Sequence, residues 1–520
     1  MVLLLGPLAA SSTEPPVSRL AADLVRLYAS SGAPGERWGH PPAEVVLPSG
    51  TRVARDAAYR DVPGFVSAAR LLLESRRGDD APLGAWLLST LPPERAAAAE
   101  PVLLDALRQE DARVAFEAAR ALGRMGGPGC VLALRAASQA ASSPEVRAAA
   151  AWAAIAVAER HREPRPPWPD QVSLPRKFRR GVSWWASEGR SDGGARSFRE
   201  LAALGVGWVS IHTWAPRQKS LDGPEFTAAN DRFGLRDLEG LVRNAHAAGL
   251  RVLYKPHLEM RGFEPTADEV AILRGSDRLA RRRLYERIRS QGRSLDGRHN
   301  EIEMRSDADW QAWFRNYAEY IHAHARQAEA AGADMFSVGR ELDRTVLRRE
   351  ADWRDLIRRI RGQYRGPLTY SANFDTHEKI GFWDALDFIG VSAYFKLSDA
   401  ADPSLAELAL GWDRALAPLG EISRRFDRPV LLTEVGYPAI PGAARAPWRE
   451  GPGQADVWLQ SRLYEAALTA ASRRPWIVGA FPWLWEGTAQ PPFRDASFSI
   501  QGKPAAFILA RWYVGDGGGP

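Results

Sequence analysis

Glu341 in MFSVGREL and Glu434 in PVLLTEVG are acidic residues at the ends of two β-rich, otherwise apolar runs, 93 positions apart. A charge there falls where a buried strand leaves the core, and α/β barrels keep their chemistry at that rim. Two carboxyl groups facing each other can cleave a glycosidic bond. One, held neutral, protonates the leaving oxygen, and the other, ionised, faces the positive charge growing at the sugar carbon. Arg340 precedes Glu341, and other β-rich runs end in polar or aromatic residues: His212 and Trp214, Lys255 and His257, Asn373, Tyr394, Trp483 and Trp485. Barrel interiors favour branched aliphatics, so this many such groups at one rim point to substrate binding rather than to isolated core groups or rim ion pairs. Arg340, Lys255 and Tyr394 are neighbours able to keep one glutamate ionised while aromatic burial raises the other's pKa. Trp214, Trp483 and Trp485 offer flat apolar faces to the C–H face of a sugar ring, whereas Trp152 and Trp353, on helical stretches, read as core.

A metal is the other use for such a set. His212, His257 and Glu341 could converge as ligands, but barrel metallohydrolases carry H-x-H on the first strand and GVSWW has none. The HAH of 322–324 lies on a helical stretch, where positions i and i+2 point apart. No metal and no cofactor is expected.

The elements that must position these groups alternate in type. The β-rich runs are GVSWW (181–185), WVSIHTW (208–214), RVLYKPHL (251–258), MFSVGREL (335–342), PLTYSANF (367–374), DFIGVSAYF (387–395), PVLLTEVG (429–436) and WIVGAFPWLW (476–485). Amphipathic stretches separate them, and KPAAFILARWYV follows the last. Eight strands and eight helices in strict alternation predict a (β/α)8 barrel over 178–520. An open doubly wound sheet would carry a Gly-rich phosphate turn after the first strand, which is missing here.

The preceding residues are of another kind. From 62 to 160 the chain is rich in Ala, Leu and Arg with helical spacing. PLGAWLLSTL from Pro82, VAFEAARALG from Val114 and VRAAAAWAAI from Val146 recur 32 residues apart, with EPVLLDALRQED and CVLALRAASQ between them. Asp111 and Pro144 mark where second helices begin. Two helices per 32-residue unit predict an all-α helical repeat, read equally as a protein-docking surface or as a cap packed on the barrel. The five prolines of 161–177 make that segment the linker. Residues 1–61 form an irregular or helical N-terminal segment. Its first ten residues, MVLLLGPLAA, resemble the end of a secretory leader without a preceding Lys or Arg. Secretion or a periplasmic location follows if they are a leader remnant, and a cytoplasmic one otherwise.

Bulk properties narrow the class. The 520 residues carry a net charge of +6 and are 45% hydrophobic, as in a soluble globular protein of two domains. The basic excess is largely arginine, and no RNP, zinc-finger or basic-zipper pattern accompanies it, so no nucleic-acid partner is expected. The single cysteine, Cys130, excludes an intrachain disulfide and any cysteine-based zinc cluster. No run of 18 apolar residues occurs, so no transmembrane helix is expected.

The motifs GVGWVSIHTW, LYKPHLEM, WQAWFRNYAEYI…AGADMFSVGREL, PLTYSANFD, DFIGVSAYF, LLTEVGYP and GAFPWLWEG, spanning about 178–515, resemble those of retaining clan A glycoside hydrolases. More narrowly they are similar to the β-mannanase-like family 113. The helical segment resembles HEAT repeats. The barrel resemblance implies cleavage of a β-linked glycan by double displacement, with Glu341 as acid/base and Glu434 as nucleophile. It also implies Tyr394 near the nucleophile and Trp485 as the innermost sugar platform. A non-catalytic glycan-binding barrel with docking repeats, or a transglycosylase, is the alternative. Clan members usually carry Asn, and the family often a small polar residue, where this chain has Arg340, which puts mannan as substrate in question. The arginine-dense segment from Arg261 to Asn300 reads as a solvated helix in a loop insertion, or as a wall for an anionic glycan.

Overall fold

The computed structural model describes residues 44–46, 52–54, 62–75, 80–91, 97–162, 164, 166, 172–185, 192–218, 222–225, 238–260, 284, 299–449, 455–487 and 495–514, with backbone alone at 44–46, 52–54, 213–218 and 259–260. Glu44–Val46 and Arg52–Ala54 pair as a short antiparallel ribbon.

Six helices follow: α1 (Val62–Leu73), α2 (Asp80–Leu88), α3 (Glu100–Ala106), α4 (Ala112–Met125), α5 (Val131–Ala140) and α6 (Pro144–Arg160). The helices α2, α4 and α6 start 32 residues apart, as the repeated sequence predicts. Asp111 caps α4 by accepting from Arg113 N at 2.9 Å, and Ser143 caps α6 with Pro144 in its first turn, so orphan amides at both starts are satisfied. Alanines at 118, 119, 148, 149 and 153 are fully or nearly fully buried, because small side chains let neighbouring helices approach closely.

Eight parallel strands then close into a barrel in chain order. They are β1 (Arg179–Trp184), β2 (Trp208–Gln218), β3 (Arg251–Met260), β4 (Met335–Arg340), β5 (Leu368–Asn373), β6 (Phe388–Ser392), β7 (Val430–Gly436) and β8 (Ile477–Trp483). The pairing of Ala480 with Arg180 shuts the ring. Around it lie α7 (Ala195–Ala203), α8 (Leu238–Ala247), α9 (Asp307–Ala331), α10 (Asp343–Arg348), α11 (Glu350–Arg361), α12 (Leu405–Phe426), α13 (Val457–Ser472) and α14 (Pro504–Val514). The strict alternation expected from the sequence breaks once. Between β5 and β6 the chain makes only two short 3-10 turns, His377–Lys379 and Trp383–Ala385. Residues 374–387 join these strands, and the two turns take up that connection in place of a helix.

The lower barrel is filled by Leu253, Met335, Phe388, Leu431 and Phe481. Behind β4 the packing is aromatic. Trp313 stacks on Tyr317 at 4.9 Å, and Trp353 stacks on Phe382 at 5.8 Å. Gly339 makes this closeness possible, since a Cβ there would lie 2.9 Å from Tyr317 Oη and 3.0 Å from both Trp353 and Tyr370. The strand that ends in Arg340 and Glu341 is thereby clamped by three buried rings.

The repeats pack against the last two helices of the barrel's outer ring. Phe507 of α14 is buried within the repeat core, edge-on to Phe116 at 5.4 Å and Trp152 at 5.2 Å. Phe116 also meets Trp458 of α13 at 5.9 Å, and Ser461 Oγ donates to Glu145 at 2.9 Å. The face made by α4 and α6 is therefore a cap on the barrel, as one of the two sequence readings had it. Among the described residues, no helix is long and apolar enough to cross a membrane.

Candidate active site

The carboxyl ends of β4 and β7 bring Glu341 and Glu434 to one guanidinium. Arg340 Nε donates to Glu434 Oε1 at 3.1 Å, and its Nη2 lies 3.1 Å from Glu341 Oε2. Glu434 has no exposed surface. Lys255 Nζ, from β3, donates to its Oε1 at 2.5 Å, and the Tyr394 hydroxyl, just past β6, donates to its Oε2 at 2.8 Å. Burial, and then Glu434's charge, push the Tyr394 phenol far above its ordinary value, so it stays a donor.

Glu341 follows β4 with φ +51°, a left-handed conformation that is costly for a side chain with a Cβ. Neighbours hold it there: its N–H donates to Ser371 O at 2.8 Å, and Leu342 N donates to Tyr370 Oη at 2.8 Å. Burial works to raise its pKa. The Arg340 charge and His299, whose Nε2 lies 3.2 Å away, outweigh that and hold the carboxyl well below the usual range.

Beneath the carboxylates, His212 Nδ1 and His257 Nε2 lie 2.9 Å apart. Burial first, then the nearby Lys255 and Arg340 charges, keep both imidazoles far below their ordinary pKa and hence neutral. The group completing a trio with these histidines is Glu434, not Glu341; its ligand atoms and theirs lie within 4.8 Å of one another. A divalent ion fits this trio poorly, because Lys255 and Arg340 already occupy the carboxylate with positive charge.

The other rim residues divide. Lys255, His257 and His212 are buried beside Glu434, to which Lys255 donates. Asn373, at the end of β5, also turns inward: its Nδ2 donates to Asp343 Oδ2 at 3.3 Å and its Oδ1 accepts from Phe374 N. Trp483 is half-buried, edge-on to His212 at 5.0 Å and to Trp185 at 6.1 Å. Trp485, expected as the innermost platform, is buried instead, because its backbone is locked to β1: its N–H donates to Ser183 O and its carbonyl accepts from Trp185 N. Trp483 therefore holds the partly open face. Trp214 pairs with His257 in the β2–β3 register, and its side chain lies outside the described residues. So does nearly all of the Arg261–Asn300 segment; His299, from its end, opens a 3-10 turn at the rim.

Two site residues carry no signal in the sequence. His299 stands alone beyond a long insertion. Asp343 resembles an ordinary acid in a helix's first turn, yet it is 8% exposed, and burial followed by the Glu341 charge push its carboxyl up to about 7. A carboxyl that binds its proton more tightly when folded stabilises the fold most in acid, and that contribution is lost as pH rises through about 7. Asp343→Asn should therefore exceed wild type in stability by roughly 2–4 kcal/mol at pH 8 and match it near pH 4. Urea melts at the two pH values check this; the same difference at both would mean that Asp343 does not titrate there.

The family model of Glycoside Hydrolase Family 113 matches residues 297–503, and that of HEAT repeats matches residues 71–155. No curated protein matches the chain in sequence. Among solved structures, the GH113 β-mannanase AaManA from Alicyclobacillus acidocaldarius, in complex with ManMIm, is similar at 26% identity with a TM-score of 0.51. That likeness covers 65% of this chain and 97% of that one. A GH113 β-1,4-mannanase complex shares the fold at 22% identity with a TM-score of 0.51, covering 65% of this chain and 99% of its own. Barrel, rim carboxylates and likenesses agree: this is a (β/α)8 barrel similar to glycoside hydrolase family 113, joined to a HEAT-like helical region.

Proposed function

We propose that the barrel hydrolyses a β-linked, mannan-like glycan with retention of configuration. Glu434 acts as nucleophile and Glu341 as acid and then base. The observation that carries this reading is the convergence of the two glutamates on Arg340 at the ends of β4 and β7.

Glu434 suits attack. Two cations and a phenol hold its oxygens in place, with no solvent to compete. Its oxygen bonds to the anomeric carbon as the glycosidic C–O bond breaks, and the leaving oxygen takes the proton of Glu341. Water then attacks the glycosyl ester, giving its proton to Glu341 while Glu434 departs. For the first step Glu341 must be protonated, so Arg340 has to swing off as the sugar enters. Burial, the largest influence on Glu341, then raises its pKa and lets it take up a proton. Trp483 offers the half-open ring against which the reacting sugar can lie.

The test is incubation with β-1,4-mannan and an aryl β-mannoside, with the anomer released first followed by proton NMR. Release of the β-anomer first is the expected result. The α-anomer first would overturn retention. No cleavage of these or of β-glucan, xylan and acidic polysaccharides would favour a barrel that binds glycans with Arg340 left across both carboxylates.

A further inference from the structure

Trp448 stands out among the described residues. Of the large apolar side chains that are exposed, it is the one aromatic, with 49% of its surface open. It lies in the loop between β7 and α13, held by a turn in which Arg449 N donates to Ala446 O at 3.0 Å. Its ring is parallel to Phe374, 5.2 Å between centroids and 10° between planes. One indole face is thus occupied, its tilt is set, and the other face looks outward.

Phe374 connects this ring to the site. It follows Asn373 at the end of β5 and packs in one cluster with Tyr394, Trp483 and Trp185. Tyr394 donates to Glu434. Trp448 therefore stands on the same rim as the carboxylates, beyond the aromatic cluster beside Glu434 and, among the described residues, with no polar partner to orient a reacting bond.

We infer that Trp448, backed by Phe374, is an outer sugar-binding platform. It would take a pyranose unit of a β-linked chain several residues from the bond being cut. A flat, rigid, half-open indole matches the C–H face of a pyranose and loses little side-chain freedom on binding. An outer platform serves only a ligand long enough to reach it, so this barrel should favour chains over short glycosides. The inference rests on the glycosidase reading for its kinetic consequence but not for its binding consequence.

Two measurements separate those. In kinetics, Trp448→Ala should lose about tenfold more kcat/KM on mannohexaose than on an aryl β-mannoside, carried by KM, while Trp448→Phe keeps most of the wild-type preference. Equal losses on both substrates, or none on mannohexaose, would overturn the platform. The second arm needs no hydrolysis: electrophoretic retardation of the full chain in gels containing β-mannan, mixed-linkage β-glucan or xylan. Wild type retarded in one gel, with Trp448→Ala migrating freely there, supports the platform even if no mannan is cleaved. Equal retardation of both proteins, or none in any gel, overturns it.

Discussion

Glu434→Ala is expected to lower turnover by about 10⁴-fold or more, the loss that follows removal of a covalent nucleophile. Azide or formate should then restore activity by entering the space the side chain leaves, and the azide product should have the α-configuration because one displacement replaces two. Glu341→Ala should behave differently. With a good leaving group, its first step needs little acid assistance and a glycosyl-enzyme should accumulate; azide then yields the β-product. Opposite product configurations would exchange the two roles, and unchanged rates in both variants would remove the pair from the reaction. Alanine at 434 also leaves Lys255 buried without its carboxylate, which costs on the order of 3–5 kcal/mol when a buried pair loses one member. Burial already draws the Lys255 ammonium below its ordinary pKa with Glu434 present, so in the variant it should shed its proton more readily. Glu434→Gln, which keeps the shape, separates loss of chemistry from loss of fold.

Arg340→Asn should move the alkaline limb of kcat/KM upward by about one pH unit or more. In wild type, burial raises the Glu341 pKa, and the Arg340 charge with His299 more than reverses it. Removing the guanidinium leaves burial dominant, so Glu341 holds its proton to higher pH. Stability should respond with a definite sign. A carboxyl depressed by Arg340 contributes stability above its unfolded pKa, and this is lost as pH falls through its folded one. The variant's penalty should therefore be largest at pH 8, about 3–5 kcal/mol, and should shrink only as pH falls below the unfolded carboxyl value toward the depressed folded one. Thermal melts and a pH–rate profile measure the two effects. An unmoved alkaline limb would mean that Arg340 does not set the Glu341 proton.

Much of this was legible because periodicity is a strong signal. The apolar runs that became β4 and β7 could hardly be anything but buried strands, and a glutamate at the end of each had to emerge at the rim. The repeated alanine-rich helices disclosed their spacing just as directly. What escaped was what side chains do once they get there. Trp483 and Trp485 sit two apart and look alike in sequence, but hydrogen bonding of Trp485 to β1 turns one inward and leaves the other half open. Lys255 and His257 stand at the expected strand end, but their burial beside Glu434 is set by neighbours that no local pattern records. His299 and Asp343 owe their roles to neighbours distant in the chain, which no local pattern records. The helix expected between β5 and β6 is replaced by the turns at 377–379 and 383–385, which take up the fourteen residues there.

Phe507 bears on how the protein is made. The core of the repeats, built from the first third of the chain, is completed by a ring near the carboxyl terminus. During synthesis the helices through Val157 leave the ribosome roughly 20–70 s before Phe507, at about 5–20 residues per second. For that interval the face containing Phe116 and Trp152 stays uncovered. Chaperone occupancy of ribosome-bound chains should peak there and end only when the last helix of the barrel docks.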